Sequence, residues 1–162
     1  MIVLVMGVSG SGKTTIGESL AKALGWRYVE ADDFHPQANV DKMAAGIPLD
    51  DADRWPWLDA INRALLALQK EGVSVVLGCS ALKQVYRKRL SNDLRDFKVV
   101  YLRGDFELIE KRVKARTHRY MPASLLKSQF ETLEEPRDAL VVDISGKPGE
   151  TVAKIETALK KS

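Results

Sequence analysis

A glycine-rich segment near residue 10 carries a lysine and a threonine at the spacing used to bind nucleotide phosphates. Residues 7–14 read G-V-S-G-S-G-K-T, which matches the pattern G-x-x-x-x-G-K-[ST]. Glycines let the backbone turn its N–H groups toward phosphate oxygens, Lys13 can bridge the β- and γ-phosphates, and the Thr14 hydroxyl can bind Mg²⁺. A glycine-rich turn that matches by chance is the alternative, but it would need the flanking elements to agree by coincidence. The predicted nucleotide-binding residues are Gly7, Val8, Ser9, Gly10, Ser11, Gly12, Lys13, Thr14 and Thr15.

This motif predicts nucleotide binding but leaves the reaction open. The chain has 162 residues and lacks the guanine-reading sequence N-K-x-D, which disfavours a motor ATPase or a GTPase. A small-molecule kinase fits the size, and such an enzyme needs a lid that keeps water from the γ-phosphoryl group. A non-enzymatic, nucleotide-dependent module that binds nucleic acid is the competing class, and a net charge of +3 gives it little support.

The segments around the motif alternate between short apolar runs and helical patterns. Strands are predicted at 2–6, 27–30, 73–79, 99–102 and 140–144. Apolar residues at helical spacing predict helices through 16–24, 58–68 and 152–159, with further helices over 83–90 and from Asp105 onward. The alternation predicts an α/β fold whose parallel sheet is covered by helices on both faces.

Two stretches interrupt the alternation and are predicted to hold functional loops. Residues 33–56 contain three prolines and an acidic run, so we expect a substrate-binding insert that is irregular or only partly helical. Trp55 and Trp57 are expected to anchor this insert. Residues 117–136 begin with T-H-R-Y-M-P and continue as a helical segment to about Leu133, which we interpret as the lid.

The composition is typical of one globular domain over residues 1–162, with 45% hydrophobic and 29% charged residues. The single cysteine, Cys79, excludes an intramolecular disulfide and a cysteine-based zinc site, and its predicted strand makes it inert. No apolar run approaches the roughly 20 residues of a membrane span, and no segment fits a secretory signal. We therefore expect a cytoplasmic protein with neither a membrane nor a nucleic-acid partner.

Several sequence blocks resemble those of the gluconokinase family, the ATP-dependent gluconate kinases among the P-loop kinases. The first block is common to many P-loop proteins, whereas the blocks around Arg54, Lys83 and Gln129 are together far more specific. The similarity extends nearly from end to end. The blocks are M-G-V-S-G-S-G-K-T at 6–14, D-D-F-H-P at 32–36, K-M-A-A-G-I-P-L at 42–49, D-R-W-P-W-L at 53–58, C-S-A-L-K at 79–83, Y-L-R-G-D at 101–105, S-Q-F-E-T-L-E-E-P at 128–136 and V-V-D-I at 141–144.

The resemblance implies a P-loop kinase fold with a five-stranded parallel sheet in the order 2-3-1-4-5, and usually a homodimer. It implies ATP and Mg²⁺ as cofactors and D-gluconate as the substrate, phosphorylated on its 6-hydroxyl to give 6-phospho-D-gluconate and ADP. The alternative is a P-loop kinase of another small acceptor, such as shikimate or a nucleoside monophosphate.

Carboxylates at 30 and 32 follow the second predicted strand, at the edge where open α/β sheets bind ligands. We predict that Asp32 is catalytic together with Lys13, because it can orient the attacking hydroxyl and accept its proton. Related small-molecule kinases carry D-x-D here with the first carboxylate near the metal, so Glu30 is predicted at the metal, although its longer side chain departs from that pattern. The alternative for both residues is that they are carboxylates at the end of a loop, hydrogen-bonded to water or to helix caps. His35 precedes a proline, which favours an extended backbone, and is predicted to bind the substrate.

Basic residues are the candidates for binding the anionic groups of the substrates. Arg54 and Lys83 are predicted to bind the sugar acid, with a surface ion pair to a nearby aspartate as the alternative for Arg54. The R-K-R run at 87–89 is expected to be a solvated helix face. Arg116 is predicted to be catalytic at the transferring phosphoryl group, with Arg112 and Arg119 as nucleotide-binding residues, although so basic a segment is also typical of a solvated surface.

Overall fold

Five parallel strands form the centre of the protein, which a computed structural model describes over residues 1–115 and 123–161. They are β1 (Ile2–Met6), β2 (Arg27–Glu30), β3 (Val75–Gly78), β4 (Phe97–Arg103) and β5 (Leu140–Asp143). Their order across the sheet is β2-β3-β1-β4-β5, and every neighbouring pair is parallel. The predicted fold class and strand order are confirmed.

Helices cover both faces of this sheet. Within the described ranges they are α1 (Lys13–Leu24), α2 (Gln37–Ala44), α3 (Asp51–Lys70), α4 (Gln84–Leu90), α5 (Phe106–Lys114), α6 (Ala123–Thr132) and α7 (Pro148–Lys160). Apolar residues of α1, α5, α6 and α7 share one core, and those of α3 and α4 share the other. None of these helices combines the length and the apolar character of a membrane-spanning segment.

The central strand β1 belongs to both cores. Val3 and Val5 contact the first core, whereas Ile2, Leu4 and Met6 contact the second, and all five are fully buried. Successive side chains of a strand point to opposite faces, so an unbroken apolar run is what a strand covered on both sides requires.

The segment predicted as an irregular or only partly helical insert, 33–56, is largely helical. A 3-10 turn at Ala31–Phe34 is followed by α2, and α3 already begins at Asp51 rather than near residue 58. Asp50 caps this helix by accepting a hydrogen bond from the Asp53 N–H at 2.8 Å, and the Asp53 carboxylate accepts one from the Asp50 N–H at 3.0 Å. Pro56 removes only one hydrogen bond close to the helix start, so the helix persists with this reciprocal cap. The proline and the acidic run had led to the prediction of an irregular segment.

Candidate active site

The glycine-rich loop joins the carboxyl end of β1 to the first turn of α1. Gly10 and Gly12 have φ values of 84° and 94°, in the left-handed region that favours glycine. A Cβ atom on Gly10 would also lie 2.5 Å from Cγ2 of Val113, so α5 can pack this closely only against a glycine. The first turn of α1 has neither a side-chain cap nor an acidic residue, which leaves its N–H groups and positive dipole end suited to an anion.

Two side chains reach over this loop. Lys13 Nζ donates to the Val8 carbonyl at 3.0 Å, which keeps the ammonium group close to the loop backbone. Gln129 of α6 contacts Ser9 twice: the Ser9 N–H donates to Oε1 at 2.7 Å, and Nε2 donates to the Ser9 hydroxyl at 2.9 Å. Gln129 was missed as an individual site residue, although the S-Q-F-E-T-L-E-E-P block contains it. The described part of the predicted lid therefore contacts the nucleotide loop directly.

The two predicted metal residues lie together. The Thr14 hydroxyl donates to Glu30 Oε2 at 3.2 Å, and the Tyr28 hydroxyl donates to the same carboxylate oxygen. Hydroxyl and carboxylate oxygens are hard ligands of the kind that Mg²⁺ prefers. Residues 1–115 and 123–161 contain no cluster of three or more metal-binding His, Cys, Asp or Glu side chains. This pair therefore fits a Mg²⁺ ion that takes most of its ligands from nucleotide phosphates and water, as Mg²⁺ usually does.

Asp32 and His35 occupy the turn that follows β2. The Asp32 side chain is 76% exposed, and its Oδ1 lies 3.9 Å from Nε2 of His35. The imidazole stacks on Trp57 at 4.3 Å between ring centroids, and its Nδ1 lies 3.2 Å from the side-chain amide of Asn39. Burial lowers the pKa of His35, and the opposing effect of Asp32 is smaller. The ring is therefore a neutral hydrogen-bonding group beside an exposed carboxylate, and Trp57 anchors the segment as expected, donating to the Ala31 carbonyl at 2.7 Å.

Arg54 and Lys83 come together around one carboxylate. Lys83 Nζ lies 3.3 Å and Arg54 Nη1 lies 3.9 Å from Asp51 Oδ1, which also accepts a hydrogen bond from the Tyr86 hydroxyl. Both cations lie over the Tyr86 ring, at 5.5 Å for Arg54 and 5.6 Å for Lys83. The hydrogen bonds from Tyr86 and Lys83 lower the pKa of Asp51, so its carboxylate is charged. Arg54 thus makes the ion pair with a nearby aspartate that the sequence offered as its alternative role, and the cluster shows that two cations at this point can share a carboxylate. Tyr86 was not predicted from the sequence.

Arg87 is not part of a solvated face, so that expectation for the 87–89 run is wrong at this residue. It is only 7% exposed and donates to the carbonyls of Ala81 at 2.7 Å, Leu82 at 3.2 Å and Glu134 at 2.8 Å. Arg87 thereby joins the loop that precedes Lys83 to the segment that follows α6. Lys88 and Arg89 are exposed as expected, and Arg89 pairs with Asp59 at 2.8 Å.

The remaining candidates make other contacts or lie outside the described residues. Arg112, on α5, donates to the Ile144 carbonyl at the carboxyl end of β5. Arg116 and Arg119 fall within 116–122, outside the part of the chain that the structure describes. Burial raises the pKa of the Cys79 thiol to about 12, which agrees with an inert residue.

Comparisons with known proteins identify the family of the chain. The chain matches the family model described as an AAA domain over residues 2–137. It is 42% identical over 164 residues to the thermoresistant gluconokinase of Escherichia coli K12, covering 99% of this chain and 94% of that protein. It is 46% identical over 145 residues to a gluconokinase of Gluconobacter oxydans 621H, covering 89% of this chain and 82% of that protein.

A solved structure is also similar over nearly the whole chain. The crystal structure of a gluconokinase from Sinorhizobium meliloti 1021 superposes with a TM-score of 0.89 at 42% identity, covering 98% of this chain and 91% of that one. Because sequence identity and fold similarity both extend over almost the full length of these proteins, the chain belongs to the gluconokinase family.

Proposed function

We propose that the protein is a gluconokinase, which transfers the γ-phosphoryl group of Mg²⁺-bound ATP to the 6-hydroxyl of D-gluconate and releases 6-phospho-D-gluconate and ADP. The observation that carries the proposal is the pair of cations, Arg54 and Lys83, that shares a carboxylate in a chain that also has an exposed acidic turn and a phosphate-binding loop. A sugar acid has both groups that such a site needs, a hydroxyl to react and a carboxylate to be held.

On the nucleotide side, residues 7–15 bind the phosphates through backbone N–H groups, and Lys13 stabilises charge on the transferring group. Thr14 and Glu30 hold Mg²⁺, and their separation of 3.2 Å supports this pairing. When bound, Mg²⁺ neutralises charge on the phosphate oxygens. Arg112 binds the nucleotide near the end of β5, and its contact with the Ile144 carbonyl supports that position.

On the acceptor side, Asp32 orients the 6-hydroxyl and accepts its proton as the new P–O bond forms. The 76% exposure of its side chain supports this role, because the carboxylate is open to a ligand. His35 donates or accepts a hydrogen bond to the sugar acid in its neutral form. Arg54 and Lys83 bind the substrate carboxylate, and a guanidinium group can do so through two parallel hydrogen bonds.

The lid is proposed to comprise residues 117–136, with Arg116 acting on the phosphoryl group during transfer and Arg119 binding the nucleotide. Closure over both substrates would keep water from the reacting group. The contact of Gln129 with Ser9 supports a lid that acts at the nucleotide loop. We also propose a single domain over 1–162 that works in the cytoplasm, as its composition indicates, and that forms a homodimer, as the family resemblance implies; light scattering measures the assembly.

The test is an ADP-release assay with Mg·ATP and a panel of acceptors: D-gluconate, other sugar acids, shikimate and nucleoside monophosphates. We expect D-gluconate to give the highest kcat/KM and mass spectrometry to detect its monophosphate. The Lys13→Ala variant is the control for a contaminating kinase. If gluconate stimulates ADP release no more than buffer while another acceptor does, the substrate assignment is wrong and the other acceptor identifies the reaction.

A further inference from the structure

Tyr28 lies in a slot made by two glycines. A Cβ atom on Gly17 of α1 would lie 2.6 Å from Cε1 of Tyr28, and a Cβ atom on Gly78 of β3 would overlap the Tyr28 hydroxyl. Gly78 pairs with Glu30 in the register of β2 and β3. The missing side chain at 78 therefore leaves, beside Glu30, the space into which the tyrosine hydroxyl extends.

The slot directs this hydroxyl to a single acceptor. Tyr28 and Glu30 are two residues apart on β2, so their side chains lie on the same face of the sheet. The Tyr28 hydroxyl donates to Glu30 Oε2, and the Thr14 hydroxyl donates to the same oxygen at 3.2 Å. Two donors from different elements thus fix one carboxylate oxygen.

A glutamate side chain at position 30 is harder to hold in one position than an aspartate side chain would be. Its extra methylene adds a rotatable bond, and ordering that bond costs conformational entropy when the carboxylate must take one position. A hydrogen-bond donor on the same strand removes that freedom before a ligand arrives. The half-buried ring of Tyr28, itself held by α1 and β3, is suited to this.

We propose that Tyr28 is a positioning residue, which holds the Glu30 carboxylate beside Thr14 so that both oxygen groups are in place for the Mg²⁺ ion of a bound nucleotide. The inference rests on the proposed function only in that Mg²⁺–nucleotide binds at this loop. The identity of the acceptor does not enter it.

The experiment measures ADP binding by calorimetry with Mg²⁺ and with EDTA, in the absence of any acceptor. The ratio of the two dissociation constants reports how much the metal contributes to binding. Tyr28→Phe keeps the ring in its slot and removes only the hydroxyl. Tyr101→Phe is the matched control, because Tyr101 is also a strand tyrosine whose hydroxyl faces a carboxylate, Glu135.

We expect Tyr28→Phe to reduce the Mg²⁺-dependent gain in ADP affinity about tenfold, the effect typical of losing a partner that orients a metal ligand. The ADP affinity in EDTA should stay within about twofold of wild type, and Tyr101→Phe should leave the ratio unchanged. Glu30→Gln should lose at least as much of the Mg²⁺-dependent gain in ADP affinity as Tyr28→Phe does. The double variant should lose no more of this gain than Glu30→Gln alone.

Three results would overturn the proposal. The first is an unchanged ratio of the two ADP dissociation constants in Tyr28→Phe. The second is a loss of ADP affinity in EDTA as large as the loss in Mg²⁺, which would indicate a structural role at the loop. The third is an unchanged ratio in Glu30→Gln. This result would refute the proposal even if Tyr28→Phe does not fold. Since no acceptor is present, a failed gluconate assay leaves these measurements intact, and the two failures are distinguishable.

Discussion

Replacing Arg87 with methionine tests whether a buried cation holds in place the loop that precedes Lys83. Methionine retains an unbranched apolar stem of similar length but has no donor for the carbonyls of Ala81, Leu82 and Glu134. In the wild-type protein the guanidinium makes two short hydrogen bonds, at 2.7 Å and 2.8 Å, and a longer one at 3.2 Å. The variant therefore removes three contacts at once from a side chain that is only 7% exposed.

The two short bonds set the expected magnitude. A hydrogen bond from a charged donor contributes about 1.5 kcal/mol or more, so Arg87→Met should lower the free energy of unfolding by about 3 kcal/mol. For a domain of this size that corresponds to a fall in Tm of about 6–12 °C. Because Lys83 directly follows Leu82, the loosened loop should also raise the KM for gluconate while leaving the KM for ATP unchanged.

Urea unfolding, followed by tryptophan fluorescence, measures the first effect, and steady-state kinetics measures the second. Arg89→Met is the matched control on the same helix, because Arg89 is exposed and its contacts are a surface ion pair with Asp59 and a cation–π contact with Trp55. Its effect on unfolding should be much smaller. If the two variants lose equal stability, the carbonyl contacts of Arg87 do not hold the loop and the reasoning fails.

Four further variants address the site itself. Lys13→Ala should lower kcat by about 10²–10⁴-fold, because it removes the cation at the transferring group. Asp32→Asn should lower kcat about 100-fold with little change in KM, whereas Arg54→Ala should mainly raise the KM for gluconate, because it acts on a charge that does not change during the reaction. The free energy of unfolding should fall as pH drops below about 6.5, and His35→Gln should reduce that fall.

The sign of the pH effect follows from the lowered pKa of His35 in the folded protein. Above about pH 6.5 both states hold a neutral imidazole; below it the unfolded chain takes up the proton first and is stabilised. Urea midpoints at pH 7.5 and 5.5 measure this effect. An equal fall in midpoint for wild type and His35→Gln would contradict it.

Turnover of Lys13→Ala within threefold of wild type would reject its catalytic role. An Asp32→Asn variant altered only in KM, beside an Arg54→Ala variant altered only in kcat, would mean that the two roles are exchanged.

Local patterns were sufficient to predict the sheet and the phosphate-binding loop. The apolar run at Ile2–Met6 and the glycine–lysine spacing that follows it each lie within a few residues, so neither depends on the rest of the fold. The strand order came from the family resemblance and is confirmed by the pairing of β1 with β3 and β4. Local patterns failed at the start of α3, where the reciprocal cap between Asp50 and Asp53 outweighs Pro56.

Long-range contacts account for the residues that were missed. Arg87 lies in a basic run typical of a solvated helix face, but it is buried and donates to the Glu134 carbonyl, 47 residues away in sequence. Gln129 meets Ser9 across 120 residues, and Tyr86 meets Asp51 across 35. No periodicity or motif encodes such pairs, because they depend on how distant elements pack.

The division of β1 between two cores has a consequence for how this enzyme can acquire new acceptors. The face that contains Ile16, Ile109 and Leu126 supports the elements that we propose hold the nucleotide. The opposite face, with Trp57, Leu58 and Leu90, supports those that we propose hold the acceptor. Substitutions that reshape α3 and α4 for a different sugar acid should therefore leave ATP affinity nearly constant, since distant sites combine additively. Selection for a new acceptor is best directed to that face, with the other half of the molecule kept as a fixed phosphoryl-donor module.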